Sequence, residues 1–267
     1  MRSQNSFDKK KIALSFSRSA ENYDKFARLQ KKLANELVEM VSSLKMAPSD
    51  ILDIGAGTGS VAFLLGEKFK GSRIVGCDIA LGMVRKAIHN NRYENVTFEV
   101  ADAEKLPFAD KSFDLAASST TFQWIDDLPK AFSEAKRVLR PGGYFAFITF
   151  GPKTLTELRQ NYKKSFGEEA NYLHKYRNAR EIQAMLKTAG FNVLRSSSNT
   201  IREFYPDFKA FFRSLKGIGA LNASVSLPKG LRSRSKMSGL IRLYEANSRI
   251  GKQIYATHEV IRVLCRG

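Results

Sequence analysis

Residues 51–60 read ILDIGAGTGS. Four residues of a short apolar run, Ile51 to Ile54, meet three glycines at alternate positions, Gly55, Gly57 and Gly59. Apolar runs of this length bounded by glycine are buried strands of a parallel sheet. Glycine has no Cβ, so the chain can turn tightly there and bring its backbone against a ligand. The helix expected over residues 59–69 opens on unpaired N–H groups that face the same place. A strand, a glycine turn and a helix start form the nucleotide-binding corner of Rossmann-like α/β folds. The dinucleotide version needs Gly or Ala at position 60, where this chain has Ser60.

The flanking sequence repeats the strand–helix alternation. RIVGCDI (73–79), VTFEVAD (96–102), FDLAASS (113–119) and GYFAFITF (143–150) are further strands. Helical patterns fall at 83–91 and at 128–139, the latter ended by PGG at 141–143. Three acids close three successive strands: Asp53, Asp78 and Asp102. One acid alone reads as a helix cap. Three together, with glycines after the first, point to one ligand lying across the strand ends, and Asp78 is placed to accept both hydroxyls of a ribose.

Beyond residue 150 the pattern becomes helical over 154–166 and 178–189. Strand candidates at 191–205 and 254–266 enclose about fifty residues. That interval holds a helix at 208–220, the loop-like SLPKGLRSRSK (226–236) and a helix around 238–249. Near the start, Phe16, Ala20, Tyr23, Ala27, Gln30 and Ala34 alternate by four and three, so they share one face of a helix. The expected organisation is an N-terminal helical lid (1–45), a binding domain (46–205 with 254–267) and an inserted helical cap (206–253).

The net charge is +18, and it is unevenly spread. Residues 1–45 carry ten Lys/Arg against five Asp/Glu, 46–150 twelve against thirteen, and 151–267 twenty-two against eight. An excess of fourteen in the last part exceeds what solubility requires and points to an acidic macromolecular partner. Cys77 and Cys265 form no paired motif, so neither a zinc site nor a disulfide framework is implied. No apolar run approaches membrane-spanning length, and the chain reads as cytoplasmic.

Asp53 on the strand ahead of its glycines, the phrase LPFADKSFD (106–114) and PGG ahead of strand five together resemble S-adenosylmethionine-dependent methyltransferases of class I. That resemblance implies a Rossmann-like α/β fold with a seven-stranded, mostly parallel sheet. It implies S-adenosylmethionine held by Asp53, Gly55, Gly57, Gly59, Asp78, Ile79, Met83, Asp102, Ala103 and Ser119. Asp53 would meet the methionine amino group, often through water, and Asp102 with the Ala103 backbone the adenine edge. No metal is implied. The segment after strand four, Ser118 to Trp124, lacks the (D/N)PP(Y/F) of base N-methyltransferases.

Three further stretches narrow the resemblance. FSRSAENYDKFARLQ (16–30), the pair Gln123-Trp124 and RSLKGIGA (213–220) are similar to the malonyl-acyl-carrier-protein O-methyltransferases of biotin synthesis, over nearly the whole chain. The implied reaction is methyl transfer to the free carboxylate of a malonyl thioester, giving the methyl ester that primes pimeloyl and biotin synthesis. Such a carboxylate is already ionised at neutral pH, so no general base is required. His89, His174 and His258 are given no catalytic role. Tyr23, Gln30, Arg177 (beside Tyr176) and Arg18 are the candidates for holding the acceptor. Arg213, Lys216, Lys229, Arg232, Arg234 and Lys236 are expected to dock the acidic acyl carrier protein, with Gly217 and Gly219 passing its slender arm. A methyltransferase of a small carboxylate or quinone precursor remains open, RNA is disfavoured, and a binding module without turnover is a further alternative.

Overall fold

The computed structural model describes residues 8–167, 176–221 and 234–267. Eight strands form one sheet: β1 (Asp50–Ile54), β2 (Arg73–Asp78), β3 (Val96–Val100), β4 (Phe113–Ser119), β5 (Leu139–Phe150), β6 (Asn192–Tyr205), β7 (Arg249–Ile250) and β8 (Gln253–Arg266). Seven lie in the order β3-β2-β1-β4-β5-β8-β6, and the two-residue β7 pairs only with β8. The first five are parallel, whereas β8 runs antiparallel to both β5 and β6. The order reverses between β1 and β4, and ligands of open α/β sheets bind beyond the strand ends at such a reversal.

Helices cover both faces, which is why the central strands are apolar on both sides. Between β1 and β5 come α3 (Ser60–Lys68), α4 (Leu81–Asn90) and α5 (Leu128–Val138), and α7 (Ala179–Thr188) precedes β6. One face packs α5 and α7 over a phenylalanine cluster of Phe122, Phe132, Phe145, Phe147 and Phe191. The other packs Val61 and Leu65 of α3 with Leu29, Leu33, Leu37 and Val41.

The N-terminal region differs from the single helix that its spacing suggests. Two helices, α1 (Lys9–Phe26) and α2 (Arg28–Ser42), meet at a break on Ala27. The bend separates two tasks. The buried residues of α2, Ala34 included, join the sheet core, while α1 crosses the strand ends and packs Phe16, Ala20 and Tyr23 against Ala80 and Met83. Its outer turns are tied down by Gly82 N–H to Ser17 Oγ at 3.1 Å and by Lys86 to Glu21 at 2.9 Å.

A third layer is made by α6 (Thr156–Phe166), α8 (Phe208–Gly217) and α9 (Arg234–Asn247). Leu158, Tyr162 and Phe166 of α6 share a core with Phe208, Phe211 and Leu215 of α8, Leu240 and Tyr244 of α9, and Ile254 and Ala256 of β8. Two boundaries move relative to the sequence reading. α8 ends three residues early, and Arg234 to Lys236 begin a helix instead of ending a loop. PGG at 141–143 lies inside β5, where the register with β4 shifts, instead of ahead of it. No helix among the described residues is long and apolar enough to cross a membrane.

Candidate functional site

The glycine turn is built as its sequence requires. Gly55, Gly57 and Gly59 all have positive φ, at 76°, 56° and 96°. The Gly55 and Ala56 N–H groups both donate to the Cys77 carbonyl, at 2.7 and 2.9 Å, which pins the turn to β2. A Cβ on Gly55 would fall 2.2 Å from the Thr121 side chain, so β1 and the segment after β4 touch there. A Cβ on Gly59 would strike Phe63, which makes that glycine a packing residue. At Gly57 a Cβ would meet no protein atom within 4 Å, and the residue faces a cleft.

That cleft encloses about 1040 Å³ of empty space, open solvent included. Gly55, Gly57, Asp78, Ile79, Met83 and Ser119 line its floor. Phe16, Tyr23 and Gln30 come from the N-terminal helices, while Leu158, Leu215, Ile218 and Leu221 come from the third layer. A second hollow of about 500 Å³ adjoins it and contains Asp102 and Ala103. Gly55, Asp78, Ile79, Ile12, Thr121 and Trp124 belong to both, so the two form one elongated groove. Asp78 sits at the join. One of its oxygens accepts from Gly57 N–H at 2.9 Å and the other from Ala80 N–H at 2.8 Å. Burial nevertheless raises its pKa above the ordinary carboxylate value.

Asp53 lies beneath the groove rather than on its wall. It is wholly buried, and neither carboxylate oxygen reaches a hydrogen-bond partner of normal geometry. Burial pushes this carboxyl up to about 8; the Ala62 backbone opposes the shift and the Asp78 charge adds to it. The Ser119 hydroxyl is likewise buried and unpartnered.

Of the acceptor-side candidates, Tyr23 and Gln30 line the cleft, and so does Tyr176. Arg18 and Arg177 do not. Both are exposed, and Arg177, just ahead of α7, lies 3.8 Å from Glu181 of that helix. Among the described residues no lysine or arginine lines this larger cleft. Arg213 and Lys216 are exposed on α8 and fall with Lys209 on one helix face; Lys236 is exposed on α9, which Arg234 begins. Lys229, Arg232 and His174 lie outside the described residues. Gly217 at the end of α8 and Gly219 just beyond it do not border open space. A Cβ on Gly217 would fall 2.2 Å from the Phe26 ring, and one on Gly219 would crowd Ser19 and the Ser15 backbone. They let α8 approach α1 closely.

Several contributors show their contacts only in the fold. Lys9 reaches both Asp102 and Glu104 at 2.6 Å and closes α1 over the smaller hollow. Asp24 accepts from the Thr58 hydroxyl at 2.9 Å, tying the same helix to the glycine turn. Thr120 adopts φ 55°, costly for a β-branched residue. Buried Gln123 holds that conformation by donating to the Thr120 carbonyl while accepting from the Thr149 hydroxyl at 2.9 Å. Trp124 meets Phe16 edge to face at 5.3 Å and walls the groove. Periodicity could locate Phe16 on a helix face, but pairing across a hundred residues leaves no local trace.

Residues 52–147 match the family model described as "Methyltransferase domain". A malonyl-[acyl-carrier protein] O-methyltransferase of Geobacter sulfurreducens is 37% identical over 95% of this chain and 97% of its own length. One of Methylococcus capsulatus is 35% identical over 96% and 93%. Among solved structures, the YcgJ protein of a Bacillus species superposes with a TM-score of 0.60 at 19% identity, covering 87% of this chain and 98% of that one, a likeness of fold.

Proposed function

The chain belongs to the malonyl-[acyl-carrier protein] O-methyltransferase family, and from that premise we propose that it esterifies the free carboxylate of a malonyl group carried on acyl carrier protein. Its methyl donor is S-adenosylmethionine, which supplies an electrophilic sulfonium methyl group. The residues present fit that molecule: a groove with open space where Gly57 lacks a Cβ, buried unpartnered oxygens on Asp53 and Ser119, Asp78 at the join of the two hollows and Asp102 in the smaller one. Asp78 would hold the ribose hydroxyls, Asp102 and Ala103 the adenine end, and Gly55, Gly57, Ile79 and Met83 the body of the molecule. Asp53 and Gly59 would act from behind, by shaping the turn.

The single observation that carries the acceptor reading is the chemistry of the larger cleft. It is mostly apolar, it is roofed by α1 and α8, and its polar side chains on the acceptor side are neutral ones such as Tyr23, Gln30 and Tyr176. A carboxylate entering it loses water, which raises its nucleophilicity, and meets hydrogen-bond donors that orient it. Arg18 and Arg177 have no part in this step. We place the reaction in the cytoplasm. Within residues 1–45, α1 acts as the lid while α2 packs with the binding domain (46–205 with 254–267), and 206–253 acts as the cap. The basic cap, with exposed Arg213, Lys216 and Lys236 and with Lys229, Arg232 and Arg234 between the last two in sequence, receives the acidic carrier protein.

The test is turnover with methyl-labelled S-adenosylmethionine and three acceptors: malonyl-carrier protein, malonyl-CoA and bulk RNA. Label on the carrier protein is the expected result. Label on RNA alone, or on none of the three, overturns the reading.

A further inference from the structure

His258 stands on β8 between two strands, paired in register with Ile201 of β6, and its side chain lines the larger cleft. It is only 6% exposed, yet neither ring nitrogen has a hydrogen-bond partner. Buried imidazoles are ordinarily satisfied, because an unpaired polar group in an apolar site costs about 1–3 kcal/mol. The ring lies 5.4 Å from that of Phe150. Its Nε2 is 3.6 Å from Glu203 Oε2, too far for a hydrogen bond but close enough for a charge to be felt.

We propose that His258 receives the acceptor's carboxylate, forming an imidazolium that bridges it to Glu203. This rests on the malonyl reading above and names the residue that anchors its substrate. A ring flanked by carboxylates on both sides needs a donor on each nitrogen, which only the protonated form has. Before the acceptor arrives, burial holds His258 neutral by pushing its pKa down to about 4. The entering anion reverses that balance, so one proton comes from solvent with the acceptor. The carboxylate oxygen facing His258 is held, and the other keeps its lone pairs free. Once the group is an ester the negative charge is gone. His258 then returns its proton to solvent, which loosens the product.

The charged and titratable surroundings agree. On β6 Glu203 accepts from the Tyr205 hydroxyl at 3.0 Å. Burial raises the Glu203 pKa, against that hydrogen bond and the positive charges of Arg28 and Lys32 on α2. Beside His258, Glu157 of α6 is engaged by the Thr257 N–H and hydroxyl, and Glu259 by the Lys153 N–H. Tyr176 lines the cleft with the Arg159 guanidinium 5.4 Å over its ring, and Tyr23 and Asp78 complete the titratable lining. Among the described residues, Glu203 is the acid that faces the imidazole.

The measurement is calorimetric binding of malonyl-pantetheine and of its methyl ester to the protein loaded with S-adenosylhomocysteine, in two buffers of different ionisation enthalpy. About one proton should be taken up with the malonyl compound at pH 7 and none with the ester. Malonyl affinity should fall as pH rises from 6 to 8, by up to about tenfold per unit, while ester affinity stays flat. His258→Phe, which keeps a ring beside Phe150, and His258→Asn should abolish proton uptake and weaken malonyl binding at least tenfold, leaving the ester unaffected. Absence of proton uptake in the parent, or equal losses for both compounds in the variants, overturns the proposal. If the parent methylates no malonyl thioester, the functional reading itself has failed; if it methylates one without taking up a proton, only the anchor has.

Discussion

Asp78 and Asp53 end or border the same turn but carry different burdens. Asp78 is held by two backbone N–H groups at the join of the groove, so its removal should act on the ligand rather than on the fold. Asp78→Ala is expected to weaken S-adenosylmethionine about ten- to a hundredfold, roughly 1.5–3 kcal/mol, by calorimetry on a folded variant. Asp53 is buried without a partner, and its pKa of about 8 lies far above that of an unfolded chain. Its stability contribution is therefore present below pH 4 and is lost as pH rises toward 8. Asp53→Asn should raise the unfolding midpoint at pH 8, by an effect on the order of a few kcal/mol, while the difference vanishes near pH 4. Equal midpoints at both pH values would show that the carboxyl is not strained by burial. These acids could be read directly, since each follows an apolar run and precedes a turn. Lys9, Thr121 and His258 could not, because each meets the groove from a distant element.

Among the helices, the bend at Ala27 decides how the groove is closed. Seven-residue spacing is satisfied equally by one long helix and by two that change direction, so the sequence pattern revealed the helical faces but not the break. The direction change lets α1 lie across the groove, where Lys9, Ser17 and Asp24 hold it to three separate elements. α8 completes the roof by pressing Gly217 against Phe26. Gly217→Val should push those helices apart at a cost of about 1–3 kcal/mol. That should appear as a lower melting temperature, by roughly 2–4 °C per kcal/mol, and a weaker acceptor KM. Phe26→Ala in the same chain should recover part of the loss. An unchanged melting temperature in the single variant would mean that α8 does not rest on α1 in solution. β5 shows the same limit of reading in a strand: PGG promised a turn, but the sheet absorbed it as a shift in register.

Taken as a single body, the protein joins a nearly neutral segment, residues 46–150, to basic flanks on either side. The mostly parallel α/β sheet followed from the alternation of apolar runs and helices, whereas the depth of the third layer did not. α6 lies outside the insertion in sequence but shares its core, through Leu158, Tyr162 and Phe166. Reversing the charges of exposed Arg213 and Lys216 to glutamate should raise KM for malonyl-carrier protein several-fold at low salt. The difference should shrink as ionic strength increases, and cofactor affinity should stay constant. Kinetics equal to the parent at every salt concentration would remove this face from carrier recognition. The chemistry itself is tested most directly by where the methyl group ends. The malonyl-carrier product, made with an isotope-labelled methyl donor, can be treated with mild alkali and followed by mass spectrometry. Release of the label as methanol, with the free malonyl acid regenerated, is the result expected of a carboxylate ester. Label that survives alkali on carbon, nitrogen or sulfur would contradict carboxyl methylation.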